Sequence, residues 1–384
     1  MRILVIGGTG PTGPHIVNGL VDRGHDVTIL HTGRHEVDTL PPPSMVPHIH
    51  ADPFDHDSFT EALAGQTYDV VFAMYGRLRM VVDALIEVTP RLFTVGGVPV
   101  YPGYSNDTDR FPTGMRLPSA EEDAFAPLGT YDETTLAEVA ARGDRSAKVV
   151  KIIESEALVF ERHPDATHFR YPYIYGPNQV LPKEWPVMKR ALDGRRPLIL
   201  ADGGRTVESA AFVENVAHAV LLAVDHIDQS AGRVYNVADD ELLTRGQIAE
   251  VVADELGHEF EMINLPFELA RSAYPTLSHH SSEHRVVDTS RIRTELGYRD
   301  LVAPVEALRR TARWQAEHLP AQHDRIKKML QDPFDYAAED RLVELYHHFV
   351  ADARAVEWDR EPGYTVAYYG PLENPGGKRP NLRA

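Results

Sequence analysis

The chain has 384 residues, of which 43% are hydrophobic and 25% charged, and its formal net charge is −18. This composition excludes disorder of the whole chain, and the strong negative charge argues against a general nucleic-acid or membrane-surface binder. Because there is no cysteine, disulfides, thiolate metal sites and a cysteine nucleophile are excluded. No apolar run reaches the ~20 residues of a spanning helix, and the apolar start is too short for a signal peptide, so we expect a cytoplasmic protein.

Short apolar runs alternate with helix-like stretches in the first half of the chain. The predicted strands are residues 3–6, 27–30, 46–50, 70–73, 92–95 and 167–170. Such runs are typical of buried parallel strands joined by crossover helices. We therefore predict an α/β fold with a doubly wound parallel (Rossmann) sheet. Helix periodicity also predicts a long helix at Ser146–Arg162.

The second half predicts a smaller lobe and a C-terminal extension. Helices are expected at 213–225, 244–256 and 303–318, and strands at 234–237 and 260–263. Residues 1–177 then form the first domain, and residues 178–320 form a smaller lobe with some return of the chain to the first. Residues 321–384 form an extension, helical at first and then loop-rich.

A glycine-rich turn directly follows the first predicted strand and precedes a helix. It consists of Gly7, Gly8, Thr9, Gly10, Pro11, Thr12 and Gly13. In such a turn Gly7 permits the tight bend, Gly10 lets the backbone approach a pyrophosphate, and Gly13 lets the helix pack closely. Amide donors at the start of the helix would face the phosphates. The whole turn is therefore predicted to bind a dinucleotide cofactor.

The end of the second strand bears on the choice of cofactor. NAD-selective sites usually carry a carboxylate there, whereas residues 29–34 read Ile-Leu-His-Thr-Gly-Arg. Arg34 offers donors suited to a 2′-phosphate, with Thr32 or His31 assisting, so NADP(H) is favoured over NAD(H). Alternatively, Arg34 is only a solvated loop residue. Asp52 is expected near the adenine, or as the cap of a helix that begins near Asp55.

Further motifs give the chain a family resemblance over residues 1–318. Val100-Tyr101 follows the fifth strand, and Arg170-Tyr171-Pro172-Tyr173-Ile174-Tyr175-Gly176-Pro177 follows the sixth. With residues 212–217, 234–237 and 295–298, they resemble the extended short-chain dehydrogenase/reductases, often called NAD-dependent epimerase/dehydratases. The resemblance implies a nucleotide-binding domain, a carboxyl-terminal substrate lobe and a reaction in the cleft between them. It also implies a homodimer.

The chain departs from the family where the chemistry normally occurs. The family uses a Ser or Thr and a Tyr-x-x-x-Lys pair, but none of the sixteen tyrosines here has a lysine four residues later. Gly96 and Gly97 occupy the usual hydroxyl positions. Aligning Glu156 with the family's glutamate places Lys148 at the tyrosine and Ile152 at the lysine.

The alternative alignment keeps Lys151 as the family's lysine and puts Ala147 at the tyrosine. Lys148 or Lys151 is then expected to face the cofactor, and Tyr173 or Tyr175 to lie near the nicotinamide. The proton is expected to come from another group, for which the candidates are Tyr101, Tyr104, Tyr131, Thr94 or a lysine of depressed pKa. Two further hypotheses stay open, a non-redox lyase or isomerase and a catalytically silent NADP(H) sensor.

The second lobe gives a hint about the substrate. Nucleotide-sugar epimerases of the family carry an arginine that grips a diphosphate, and Glu208 stands at its position. A carboxylate there would repel a diphosphate. We therefore expect a neutral or weakly charged small molecule. No metal is expected: His48, His50 and Asp52 are explained by the nucleotide site, and residues 279–284 are expected to be a solvated loop that borders the substrate cleft.

Overall fold

The computed structural model describes residues 1–33, 39–74, 78–127, 146–277, 279 and 281–359. In the first half of the chain, strands and helices alternate as the hydrophobic pattern predicts. The elements are β1 (Arg2–Ile6), α1 (Gly13–Asp22), β2 (Asp26–His31), β3 (His48–His50), α2 (His56–Leu63), β4 (Val70–Ala73), β5 (Leu92–Gly97) and α3 (Ser146–Arg162).

The second half contains shorter strands and more helices. It comprises β6 (Thr167–Tyr171), β7 (Tyr173–Tyr175), α4 (Trp185–Leu192), β8 (Pro197–Ala201), β9 (Ala210–Phe212), α5 (Val213–Asp225), β10 (Arg233–Asn236), α6 (Arg245–Glu255), β11 (Glu261–Leu265), α7 (Tyr274–Leu277), α8 (Ser290–Leu296), α9 (Pro304–His318), α10 (His323–Leu330) and α11 (Tyr336–Arg354).

Seven parallel strands form the main sheet, in the order β10-β6-β5-β4-β1-β2-β3. The predicted doubly wound sheet is therefore confirmed. The chain order reverses beside β1, and ligands of such sheets bind at the carboxyl ends of the strands next to that reversal. β10 joins the edge of this sheet late in the chain, so the second half does return to the first lobe.

Successive side chains of a strand point to opposite faces of the main sheet, so the sheet packs against two separate hydrophobic cores. Ile3 and Val5 of β1 pack on one face of the sheet with α1 and α5. Leu4 and Ile6 pack on the other face with α2 and α3. Because both faces are covered, the strands are apolar almost throughout, and this made them recognisable in the sequence.

Small parallel pairs build the second lobe. β8 pairs with β11, and β7 pairs with β9. The periodicity did not predict β7 or β9, because each has three residues and pairs with a single neighbour. The prediction of 46–50 for the third strand was also too long, since β3 covers only His48–His50.

Helices α10 and α11 pack on the second lobe. Ile326 and Leu330 of α10 share a core with Trp185. Arg190 of α4 is buried and forms ion pairs with Asp332, at 2.9 Å, and with Glu339 of α11. The extension as far as residue 354 is thus held to the lobe by apolar and ionic contacts. None of the helices in the described part of the chain combines the length and the apolar character needed to cross a membrane.

Candidate functional site

The glycine turn has the shape that a dinucleotide needs. Gly7 and Gly8 have φ of 97° and 73°, and the Gly7 N–H donates to Leu30 O at 2.8 Å. A Cβ on Gly13 would lie 2.1 Å from Gly8 O, whereas a Cβ on Gly10 would meet no atom within 4 Å. The helix therefore packs directly on the turn, and open space remains at Gly10. This cradle fits a diphosphate approaching the backbone.

Two prolines limit the donors of this cradle. Pro11, within the turn, and Pro14, in the first turn of α1, have no backbone N–H. Thr12 is the N-cap residue of α1, but its side chain does not cap the helix. The hydroxyls of Thr12 and of the half-buried Thr9 are therefore the side-chain donors that the turn can offer to a phosphate.

A directional chain of hydrogen bonds holds the end of β2. The Gly33 N–H donates to His31 Nδ1 at 3.0 Å, so His31 Nε2 carries the proton and donates to His48 Nδ1 at 3.0 Å. His48 Nε2 in turn donates to Pro41 O at 3.0 Å. Ring nitrogens of His31, His48 and His50 lie within 4.8 Å of one another. This chain of hydrogen bonds accounts for the positions of the His31 and His48 rings.

Two of the predicted nucleotide contacts can be placed at this end of the sheet. Thr32 is half-buried just beyond β2. Asp52 is half-buried beyond β3 and accepts from the Phe54 N–H at 3.0 Å. The alternative that Asp52 caps α2 is wrong, because the cap is Asp55, which accepts from the Ser58 N–H at 3.3 Å. Arg34 lies outside the described residues.

Tyr101 lies at the centre of a buried polar network. Its hydroxyl donates to Asn236 Oδ1 at 2.7 Å and accepts from Arg170 Nη1 at 2.8 Å. Arg170 also binds both oxygens of Glu156, at 2.6 and 3.0 Å. Burial raises the pKa of Tyr101 to about 12. This hydroxyl is thus fully engaged, and its proton is hard to release.

The position of the His168 ring explains why Gly96 stands at one of the places where the family has a Ser or Thr. A Cβ on Gly96 would lie 2.4 Å from His168 Nε2. The imidazole is fixed by Thr94, whose Oγ1 lies 2.7 Å from Nδ1, and its Nε2 lies 3.3 Å from Glu156 Oε2. A side chain at position 96 would therefore collide with the ring. Thr94, one of the proton-donor candidates, is fully buried in this contact.

Helix α3 presents different side chains at the family's tyrosine and lysine positions. Lys148 and Lys151 are both exposed. Ile152 is half-buried and packs with Ile153 against the apolar cluster around Tyr101. The alignment through Glu156 thus places an apolar contact where the family has its lysine. Tyr131, another candidate, lies outside the described residues.

Tyr171, the last residue of β6, has a buried hydroxyl. Tyr171 pairs with Gly97 in the sheet, and it packs against the same core as Met74, which follows β4. Its hydroxyl is buried without a hydrogen-bond partner among the described residues. Buried hydroxyls normally have a partner, so this oxygen suits a polar group of a ligand at the carboxyl edge of the sheet.

Tyr173 is tied to the loop that follows β7. Its hydroxyl lies 3.0 Å from Glu184 Oε2 and accepts from Gln179 Nε2 at 2.7 Å and from the Lys183 N–H at 3.0 Å. Burial, together with the Glu184 carboxylate, raises the pKa of Tyr173 well above its ordinary value. Like Tyr101, this tyrosine holds its proton tightly.

Four polar side chains contact the carboxylate of Glu208. Lys183 Nζ lies 3.0 Å from Oε2, Arg245 forms an ion pair with the same oxygen, and His279 Nε2 lies 3.2 Å from Oε1. The Tyr104 hydroxyl donates to Oε1 at 3.2 Å. Burial alone would raise the pKa of Glu208, but the two cations lower it well below its ordinary value. The expectation of a solvated loop is wrong for His279, whose side chain is 7% exposed.

Burial shifts the pKa values of the basic and the acidic groups of this region in opposite directions. It lowers the pKa of Lys183 to about 8. It raises the pKa of Asp239 to about 7. Asp239 accepts from the Tyr175 hydroxyl at 2.7 Å and from the Phe212 N–H at 3.0 Å. Neither Lys183 nor Asp239 has a sequence signal, because their partners come from distant segments.

A cleft opens beside these groups. Its walls include Tyr173, Tyr175, Glu208, Asp239, Arg245 and Leu243. It lies beyond the carboxyl ends of β6 and β10, on the side where the second lobe meets the main sheet. Clefts at this place in open α/β folds are the usual ligand sites.

Comparison with known proteins bears on both halves of this site. Residues 7–98 match the NAD(P)H-binding family. A UDP-glucose 4-epimerase from Thermotoga maritima, solved with UDP-glucose, superposes with a TM-score of 0.60 at 17% identity, covering 83% of this chain and all of that one. The chain therefore has the fold of the extended short-chain dehydrogenase/reductases. The resemblance seen in the motifs is thereby confirmed, and so is the nucleotide-binding domain.

Curated relatives of this chain are distant and diverse. A 3-diazoavenalumate denitrifying reductase from Streptomyces is 29% identical over 308 residues, which are 78% of this chain and 96% of that protein. The chloroplast stem-loop binding protein of 41 kDa b from Arabidopsis thaliana is 24% identical over 263 residues. That match covers 66% of this chain and only 62% of the Arabidopsis protein. Proteins named as a reductase, a decarboxylase and an epimerase thus share the scaffold of this chain.

Proposed function

We propose that the protein is an NADP(H)-dependent oxidoreductase or epimerase that acts at a carbonyl or carbinol carbon of a small organic substrate. The observation that carries this proposal is the glycine turn, closed at Gly13 and open at Gly10 beside the carboxyl end of β1. Its catalytic site lacks Tyr-x-x-x-Lys. When bound, a nicotinamide nucleotide would supply or accept the hydride.

Several residues of the chain would then bind different parts of the cofactor. The backbone at Gly10 and the hydroxyl of Thr12 hold the diphosphate. Arg34, assisted by Thr32, selects the 2′-phosphate because a guanidinium fork matches phosphate oxygens. Lys148 or Lys151, both exposed on α3, reaches the ribose. These assignments rest on the family resemblance and on the shape of the turn.

Reduction is the direction that we favour. The Streptomyces relative is by name a 3-diazoavenalumate denitrifying reductase, and the match spans 96% of that protein. The hydroxyls of Tyr101 and Tyr173 are engaged in hydrogen bonds, and their pKa values are raised. A hydride acceptor that needs little help from a phenolic acid fits such a site better than an unactivated ketone does.

Glu208 supports a small substrate over a nucleotide sugar. Its carboxylate already holds Lys183 and Arg245 at the position where the family's epimerases grip a diphosphate. A diphosphate entering here would meet this carboxylate and the buried Glu184 at close range. The substrate that we propose is therefore neutral or weakly charged.

Partners and location follow from the same reasoning. We propose a small-molecule substrate and a second copy of the chain as the partners of this protein, acting in the cytoplasm. Its net charge of −18 would oppose an approach to phosphate backbones and anionic lipid. The stem-loop binding in the name of the Arabidopsis relative is for this reason not carried over.

Substitution of Arg34 tests the cofactor assignment. Arg34→Ala should weaken NADPH binding by at least about tenfold and leave NADH binding nearly unchanged, because only NADPH carries the 2′-phosphate. Fluorescence titration of the reduced nucleotides measures both affinities. Arg313→Ala, at an exposed position on α9, serves as the matched control. Equal losses for the two nucleotides would remove the selectivity argument.

A further inference from the structure

Helix α11 carries apolar side chains on two opposite sides. Its buried Val343 packs with Ile199 of β8 and Ile263 of β11. Leu345 stands two residues further along, which is about 200° around an α-helix. Leu345 and Phe349, one turn apart, therefore lie on the side that faces away from the lobe, and they are 65% and 68% exposed. A helix that is apolar on both sides is normally covered on both.

The C-terminal end of α11 projects from the second lobe. All residues from 351 to 359 are exposed, and among them Val356 is 57% and Trp358 61% exposed. With Leu345 and Phe349, these side chains concentrate exposed apolar surface within residues 345–358. Single exposed apolar residues are ordinary, whereas a group of this size marks an interaction site.

The helices of the first lobe offer no comparable surface. In the part of the chain that the structure describes, α1, α2, α3 and α5 have no exposed large apolar side chain. The exposed side of α3 is mostly charged, as at Lys148, Lys151, Glu154 and Glu161. Charged residues are depleted from the centres of protein interfaces. The apolar surface available to a second copy of the chain thus lies on α11.

Two charged side chains flank the apolar pair on the same side of α11. Along the helix the order is Arg341, Leu345, Phe349 and Asp352, with intervals of four, four and three residues that keep them on one face. These four residues are called the α11 stripe below. Arg341 and Asp352 are both exposed, and neither forms an ion pair within the described residues. The stripe is therefore positive at one end, apolar in the middle and negative at the other end.

This order of charges matches a second copy of the same stripe. If two copies lie antiparallel about a two-fold axis between Leu345 and Phe349, Arg341 of each copy faces Asp352 of the other. The same axis brings Leu345 of one copy against Phe349 of the other. A parallel arrangement would instead place like charges together. A two-fold contact of this kind is self-complementary and closes at two subunits.

We propose that the α11 stripe is the interface of a homodimer, in which two α11 helices pack antiparallel and form two Arg341–Asp352 ion pairs. This inference rests on the proposed function, which includes a second copy as a partner, and it assigns the surface that the second copy covers. The interface lies in the C-terminal extension, away from the glycine turn, so dimerisation should not depend on the nucleotide.

Sedimentation equilibrium of the full chain tests the role of the apolar pair. We expect a reversible monomer–dimer equilibrium in which Leu345→Ser together with Phe349→Ser raises the dissociation constant at least about a hundredfold, because each lost contact occurs twice in the dimer. Leu301→Ser, at a position 63% exposed and outside α11, is the matched control and should change nothing. A monomeric unchanged chain, or a dimer that the double substitution leaves intact, would overturn the inference.

Charge reversal tests the antiparallel arrangement. Arg341→Asp or Asp352→Arg alone should weaken the dimer at least about tenfold, because each change replaces two attractions by two repulsions. The two changes together in one chain should restore the dimer, since the pairs form again with their charges exchanged. Both positions are exposed, so the melting temperature of the monomer should stay the same. Single reversals without effect, or a double reversal that fails to restore the dimer, would contradict the antiparallel pairing.

Removal of residues 360–384 separates a second copy from another cover of the stripe. We expect the full chain and the chain shortened after Asp359 to dimerise equally. A full chain that is monomeric beside a shortened chain that dimerises would show that residues 360–384 cover the stripe, and would overturn the inference.

The outcomes also separate this interface from the proposed function. A dimer that ignores every α11 substitution would refute the interface and leave the second copy as a partner. A monomer that still binds NADPH would remove the second copy but leave the proposed activity.

Discussion

At the scale of single residues, burial decides what a hydroxyl can do. The motif after β5 made Tyr101 a candidate proton donor, but sequence cannot show that Arg170 and Asn236 meet its oxygen from β6 and β10. These partners are 69 and 135 residues away along the chain. Long-range polar contacts of this kind have no periodicity, so the role of a tyrosine is the least predictable part of such a site.

Tyr101→Phe should therefore lower the stability of the protein. The change leaves a donor of Arg170 and the acceptor of Asn236 buried and unpaired, which costs about 1–3 kcal/mol of unfolding free energy. Urea unfolding followed by circular dichroism measures the difference. Tyr346→Phe on α11 is the control, with an expected change within about 0.5 kcal/mol. Full stability of Tyr101→Phe would show that the network does not depend on this hydroxyl.

Glu208 illustrates the opposite case, in which the sequence did carry a signal. Its place in the family alignment predicted that a diphosphate would be repelled. The structure adds that Lys183, Arg245 and His279 converge on the carboxylate. Lys183 and Arg245 belong to no recognisable motif, and the segment of His279 was expected to be solvated, so the sequence could predict a departure from the family but not the cluster that accompanies it.

At the scale of elements, the strands of the main sheet follow directly from the hydrophobic pattern. β1, β2, β4, β5 and β6 agree with the predicted runs to within two residues at each end. A strand that is covered on both faces must be apolar almost throughout, so a short apolar run in the sequence predicts such a strand. β7 and β9 were missed because three residues paired with one neighbour leave no pattern to read.

The glycine turn gives a matched pair of substitutions. Gly10→Ala adds a methyl group in open space, so stability should change little, while NADPH affinity should fall by at least about tenfold because the backbone can no longer approach the phosphates. Gly13→Ala places its Cβ 2.1 Å from Gly8 O and should lower stability by about 1–3 kcal/mol.

Thermal melts and nucleotide titrations of both variants check this pair. A stable Gly13→Ala protein would contradict the close packing of α1 on the turn. Unchanged NADPH affinity in Gly10→Ala would mean that no phosphate approaches the backbone at that position.

At the scale of the whole molecule, the two lobes and the extension are joined by buried contacts. β10 and α5 return to the main sheet, while α10 and α11 are tied to α4 through Arg190. Sequence reasoning predicted this return but could not place the extension, because its ion pairs join residues 142 and 149 positions apart. The cleft thus borders the lobe that the extension supports.

The central claim is that the first crossover of this fold binds a nicotinamide dinucleotide. Isothermal titration calorimetry of nucleotide-free protein, performed at two temperatures with NADPH and then NADH, tests it most directly. We expect saturable binding at one site per chain, at least about tenfold tighter for NADPH than for NADH. Absence of binding for both nucleotides would contradict it.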